Sequence, residues 1–151
     1  VHGLLARGEW RDERGSNLLD GGAPFSDTYR CACGGHVAVG APEPRFYREL
    51  IARLGLDGDP ACAGDHLDRA NWPAIRARLG ATFATRTRDE WAALLDGSDA
   101  CVAPVLSLRE ASRDPHTSAR GAYREVDGVL QPAPAPRFAF APSPSDAAGE
   151  P

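Results

Sequence analysis

An α+β fold is predicted for this 151-residue chain, built of hairpins and short amphipathic helices with extended connectors. Three observations carry that expectation. Apolar residues recur at helical spacing in two separate stretches, Phe46-Leu50-Leu54 and Ile75-Leu79-Phe83. Glycine turn signals at Gly34-Gly35 and Asp127-Gly128 each lie between short strand-like runs. Helical and hairpin patterns are mixed along the chain instead of alternating strictly, which points to α+β.

Taken in order, residues 1–17 are polar and glycine-punctuated, with Trp10 as the one large anchor. Asp20-Gly21-Gly22-Ala23-Pro24 reads as a loop, since Gly and Pro break any regular pattern. Residues 28–33 and 36–40 are expected as strands joined at Gly34-Gly35, with Tyr29, Cys31 and Cys33 on one face. Pro44 suits the first position of a helix that runs to about Leu54 and stops at Gly55. Phe46, Tyr47, Leu50, Ile51 and Leu54 form its apolar stripe. An irregular acidic loop follows over 57–70. Asn71 can cap a second helix, with Pro73 in its first turn.

Thr87-Arg88-Asp89-Glu90 and Ser107-Leu108-Arg109-Glu110 both match a capping box. The first opens a helix carrying Trp91, Leu94 and Leu95 that ends at Asp96-Gly97. The second opens a helix that must stop near Asp114-Pro115. Residues 100–105 read as a strand with Pro104 near an edge or end. Residues 123–126 and 129–131 flank Asp127-Gly128 as a second hairpin. Beyond Gln131 the proline-alanine run is extended, and the last residues are polar and loose. The expected layout is a connector over 1–24, a small α+β domain over 25–126, and a hairpin end with a proline-rich connector over 127–151.

Composition excludes several functions. The net charge of -4 leaves no basic footprint for nucleic acid. No apolar run nears membrane-spanning length and no signal-peptide core is present, so no membrane partner and a cytoplasmic location are expected. Four cysteines need not form disulfides, and a reducing compartment is the default. All 17 basic residues are arginine, which removes Schiff-base lysine chemistry and the phosphate-binding loop. That bias, with abundant Ala, Gly and Pro, fits a GC-rich bacterial genome. The chain has no methionine and starts at Val1, and it reads as an excerpt of a longer protein.

Few residues offer chemistry. Cys31-x-Cys33-x-x-His36, with Cys62 and His66 further on, fits no familiar zinc-ligand spacing, and no metal is expected. There is no Gly-x-Ser-x-Gly elbow and no Gly-x-Gly-x-x-Gly fingerprint. Cys101 reads as strand packing and His116 as a loop brace near Arg120. His36 reads as exposed, and His2 and His66 carry no signal. Glu43 stands apart. Pro44 drives it into an extended conformation and Pro42 fixes the chain before it. It therefore precedes a helix N-terminus, where free amides favour an anion. On position alone, a plain helix-start acid is the stronger reading, ahead of a carboxylate that orients a histidine.

Several motifs together resemble the α-methylacyl-CoA racemases of the family III CoA-transferase superfamily. They are Leu18-Leu19-Asp20-Gly21-Gly22-Ala23-Pro24-Phe25, Thr28-Tyr29, Val37-Ala38-Val39-Gly40-Ala41 and Glu43-Pro44-x-Phe46-Tyr47. Further along come Glu90-Trp91, Asp96-Gly97-x-Asp99-Ala100-Cys101-Val102-x-Pro104-Val105, Ala119-Arg120-Gly121 and Gln131-Pro132-Ala133-Pro134-Ala135-Pro136-Arg137-Phe138. The resemblance covers nearly the whole chain in register. It implies the small domain of that fold and an enzyme that inverts C2 of a 2-methylacyl-CoA thioester, using a histidine and an aspartate as its two bases. It also implies no metal or redox cofactor, CoA being part of the substrate, and an interlocked homodimer acting in fatty acid metabolism.

Under that resemblance Glu43 pairs with the catalytic histidine. Both bases belong to an N-terminal half that this chain does not include, and none of its four histidines matches the base. The chain by itself is then expected to be inactive. Leu19, Ser26 and Pro42 would line the acyl pocket. Ser26 stands where the family commonly has an aromatic residue and Pro42 where it often has a branched aliphatic, so the acyl specificity is expected to be altered. The competing expectations are a family III CoA-transferase, working through an aspartyl intermediate, and a module acting only by association.

Overall fold

The computed structural model describes residues 1–136. The chain divides into two compact units, Val1–Val105 and Leu106–Pro151. The expected loose tail, with Arg137 and Phe138, lies outside the described residues.

The first unit is built on an antiparallel sheet of β1 (Ser26–Arg30), β2 (His36–Gly40) and β3 (Val102–Val105), in the order β1-β2-β3. Burial alternates as a half-covered sheet requires: Tyr29, Val37 and Val39 point inward while Thr28, Arg30 and His36 face out. Pro104 falls on β3, an edge strand, where a missing amide is tolerated.

The first hairpin turns earlier than expected. β1 ends at Arg30, opposite His36. The Cys31 amide donates to the Gly35 carbonyl at 2.8 Å and the Gly34 amide to the Cys31 carbonyl at 2.9 Å. The loop is therefore Ala32-Cys33-Gly34, with Gly34 at a φ of 83°, a three-residue turn closed by a glycine in the left-handed region. This takes Cys33 off the strand face and exposes it, while Cys31 stays buried with Tyr29.

The first unit opens with a short helix, α1 (His2–Ala6). α2 (Pro44–Arg53) buries Tyr47, Leu50 and Ile51. It closes as a Schellman motif: the Gly55 amide donates to the Ala52 carbonyl at 3.0 Å and the Leu56 amide to the Ile51 carbonyl at 2.9 Å. α3 (Trp72–Phe83) does not take Asn71 as its side-chain cap. Asn71 is already helical, the last residue of a 3₁₀ turn (Arg69–Asn71) that Asp68 caps through the Ala70 amide. Its side chain donates instead to the Asp65 carbonyl at 2.9 Å. α4 (Arg88–Leu95) starts at the expected Thr87–Glu90 capping box.

α3 contacts β1, and α4 contacts β2 and β3. Between them lies one apolar cluster containing Phe25, Tyr29, Val37, Leu50, Ile75, Leu79, Phe83 and Trp91. Burial of such side chains, at about 1.5–3 kcal/mol each, is the main force holding the unit together. The Trp91 indole satisfies its N–H on the Phe83 carbonyl at 2.9 Å.

The second unit contains α5 (Leu108–Ala111), α6 (Pro115–Ala119) and a hairpin of β4 (Tyr123–Val126) and β5 (Val129–Pro132). Ser107 and Glu110 form the expected capping box. α5 stops at Ala111, short of Asp114-Pro115, which starts the next helix with Asp114 accepting from the His116 and Thr117 amides. His116 is therefore a first-turn helix residue and not a loop brace. Asp127 and Gly128 take φ values of 53° and 77°, the pair of positive angles that a two-residue hairpin turn needs.

Candidate functional site

The glycine-containing loop before β1 is held from two sides. Asn17, only 1% exposed, donates from its side chain to the Arg11 carbonyl at 2.9 Å and to Asp20 Oδ2 at 2.8 Å. Its amide donates to Asp20 Oδ1 at 2.7 Å, and that oxygen also accepts from the Gly22 amide at 3.1 Å. From the other side, the Arg76 guanidinium of α3 donates to the carbonyls of Gly21 and Gly22 at 2.9 and 2.8 Å and pairs with Asp27. Gly22 is required here, because a Cβ would come within 2.4 Å of the Asn17 amide nitrogen. Backbone carbonyls and amides turned away from regular structure thus find side-chain partners.

Behind that loop, the Ala41 amide donates to the Phe25 carbonyl at 2.8 Å and carries the chain out of β2 into Pro42-Glu43-Pro44. Glu43 has φ -74° and ψ 142°, the extended geometry that a following proline imposes. It is the N-cap residue of α2, and its carbonyl accepts from the Tyr47 amide at 2.9 Å. Its side chain makes no capping hydrogen bond with that helix. The carboxylate is exposed on a backbone fixed at both ends, free of the helix it precedes.

Charged neighbours frame it. Arg45 is taken up by Asp99 at 2.8 Å. Cys101, next to that aspartate, has a φ of 54° and lies exposed ahead of β3, not packed in a strand as its sequence context predicted. Partial burial pushes its thiol pKa up, and the Asp99 and Glu43 carboxylates push it the same way. Glu43 and Cys101 are therefore within electrostatic reach of each other.

His66 is the residue that sequence reasoning missed. Nothing in its sequence context marks it, yet it is 7% exposed with Nε2 2.9 Å from the Pro42 carbonyl oxygen. Its ring stacks on Tyr47 at 4.3 Å and meets the edge of Phe25 at 5.0 Å. The indole N–H of Trp72 donates to its carbonyl at 2.9 Å. Asn17 and Arg76 were missed as well. Nothing local marks Arg76. Asn17 stood three residues before Asp20 in a Gly-rich loop, a pattern that side-chain-braced turns use.

Leu19, Ser26 and Pro42 all lie in the first unit. Leu19 is 65% exposed and lines a cavity of about 430 Å³ with Leu4, Trp10, Leu18 and Leu67. Ser26 begins β1 opposite Gly40, and Pro42 is half-buried against His66. Neither borders that cavity. Among the described residues no group of three or more His, Cys, Asp or Glu is placed to hold a metal ion. None of their helices is long and apolar enough to cross a membrane.

CoA-transferase family III matches residues 3–150, and the chain belongs to that family. It is 42% identical over 129 residues to the mouse α-methylacyl-CoA racemase and 43% identical over 128 residues to the human one, covering 85% and 83% of this chain. A CaiB/baiF CoA-transferase family protein of Caenorhabditis elegans is 32% identical over 120 residues. The chain spans 33% of the length of each of these relatives. In fold it is similar to Rv3272 from Mycobacterium tuberculosis, with a TM-score of 0.61 and 22% identity over 75% of this chain and 32% of that one.

Proposed function

We propose that this chain supplies the small-domain share of an α-methylacyl-CoA racemase, inverting C2 of a 2-methylacyl-CoA by two-base proton transfer. The observation that carries the reading is Glu43: an exposed carboxylate on a backbone locked by two prolines and left uncapped by its helix. Such a group accepts the N–H of an imidazole, fixes its tautomer and stabilises the imidazolium formed when the ring takes a proton. The imidazole comes from outside these 151 residues, as does the aspartate that returns a proton on the opposite face. His66 is committed to the Pro42 carbonyl, and among the described residues no histidine bonds to the Glu43 side chain. The enolate formed between the two transfers gathers charge at the thioester oxygen, where fixed donors stabilise it. CoA arrives as part of the substrate, with no further cofactor. In this reading the enzyme is a cytoplasmic homodimer.

The test uses the complete gene product. Deuterium exchange at C2 of a 2-methylacyl-CoA without an acyl acceptor supports racemisation, whereas CoA transfer to a free acid supports a family III transferase. Glu43→Gln is expected to lower turnover roughly 10–100-fold, the usual cost of losing a residue that orients a functional imidazole, with KM little changed. Unchanged turnover would reduce Glu43 to a helix-start acid.

A further inference from the structure

We infer that His66 is a positioning residue for Glu43, acting through the Pro42 carbonyl. The inference rests on the role proposed for Glu43 and adds a residue that holds it.

The need for such a brace follows from the sequence. Residues 41–44 contain two prolines, so this turn has only two backbone N–H groups, those of Ala41 and Glu43. Ala41 spends its amide on the Phe25 carbonyl. The Pro42 carbonyl, at the junction of strand and helix, receives no backbone donor among the described residues. His66, 24 residues further along, provides one at 2.9 Å. A carbonyl oxygen only accepts, so Nε2 carries the proton.

This hydrogen bond fixes the plane of the Pro42–Glu43 peptide. Pro44 restricts ψ of Glu43 from the other side, and the Tyr47 amide holds the Glu43 carbonyl. With both flanking peptides set, the direction of the Glu43 Cα–Cβ bond is set too, which limits where the carboxylate can reach. His66 is in turn held rigidly by the parallel Tyr47 ring, the Phe25 edge and the Trp72 indole on its own carbonyl. Tyr47 belongs to the helix that Glu43 starts, so ring stack and hydrogen bond tie the same two elements together. An orienting carboxylate needs this order of placement, since displacement by about 1 Å can cost 10²-fold in rate.

Two substitutions separate positioning from packing. His66→Phe keeps a ring to stack on Tyr47 but has no N–H; His66→Gln loses the ring and keeps a donor. In the complete gene product, His66→Phe is expected to lower kcat for C2 exchange about tenfold or more with KM within twofold, and His66→Gln to recover most of it. Combined with Glu43→Gln, His66→Phe should cause no further loss, because both act through one carboxylate. In the 151-residue chain, nuclear magnetic resonance should show the Glu43 amide shift and its three-bond coupling displaced in His66→Phe and near wild type in His66→Gln. Multiplying losses in the double variant, or a Glu43 signal unmoved in His66→Phe, overturns the inference. Absence of exchange in the wild-type enzyme overturns the racemase reading alone, and the Glu43 backbone signal still decides the brace.

Discussion

Phe25→Ala should be among the most damaging single changes in the first unit. The ring is fully buried and meets Tyr47, His66 and Trp72 edge-on, at centroid distances of 5.8, 5.0 and 6.2 Å. Truncating a core phenylalanine costs about 3–5 kcal/mol through lost transfer energy and the cavity left behind. Edge-on aromatic pairs contribute about 0.5–1.5 kcal/mol each beyond their area, so three of them place this site near the upper end. Set against a typical domain stability of about 5–15 kcal/mol, the alanine variant would retain little margin. Phe25→Leu keeps most of the volume but none of the ring geometry. A volume-conserving swap alone costs less than about 1.5 kcal/mol, and the lost ring contacts bring the expectation to roughly 2–3 kcal/mol. Urea unfolding followed by tryptophan fluorescence measures both, read from the midpoint at unchanged slope. A leucine variant as stable as wild type would refute the aromatic contribution. An alanine variant within about 1 kcal/mol of wild type would refute the placement of Phe25 at the core.

Two further predictions concern the loop and the buried tyrosines. Gly22→Ala drives a Cβ into backbone atoms of Asn17 and Ser16 at 2.4–2.5 Å, while Gly40→Ala enters open space. Thermal unfolding should show a loss of about 3 kcal/mol or more for the first and a change within about 0.5 kcal/mol for the second; equal effects would contradict the close approach. Burial lifts the phenol groups of Tyr29 and Tyr47 well above the ordinary tyrosine range. Their contribution to stability is complete below about pH 10, where the unfolded chain ionises, and declines as pH rises toward the folded values. Chemical denaturation across that range should show the fall, and Tyr47→Phe should flatten it; an unchanged slope would mean that Tyr47 is not shielded.

The helices were legible wherever a local code marks their ends. Pro44, Thr87, Ser107 and Gly55 each carry a chemical signal that acts within four residues, and each stands at the expected boundary. The misreadings arise where a local signal competes with another. Gly34-Gly35 resembles a two-residue turn, but the hydrogen bonds of Cys31 close a longer loop and turn Cys33 outward. Asn71 resembles a cap, but Asp68 caps first and leaves Asn71 inside the turn. The extended backbone of Glu43 was legible because proline chemistry is local. His66 and Arg76 were not, since their partners lie 24 and 54–55 residues away and no spacing rule connects them.

The charges around Glu43 explain why its carboxylate remains available. Arg45 is only two residues away and is the nearest cation along the chain. Asp99 holds its guanidinium at 2.8 Å. With side chains 70% and 64% exposed, that ion pair adds at most about 1 kcal/mol to stability, and screening by salt reduces it further. Among the described residues Glu43 makes no ion pair, while Arg45 makes one with Asp99. Two prolines bracket the backbone from which the Glu43 side chain leaves, the carbonyl before it is held by His66, and Arg45, two residues on, is paired with Asp99.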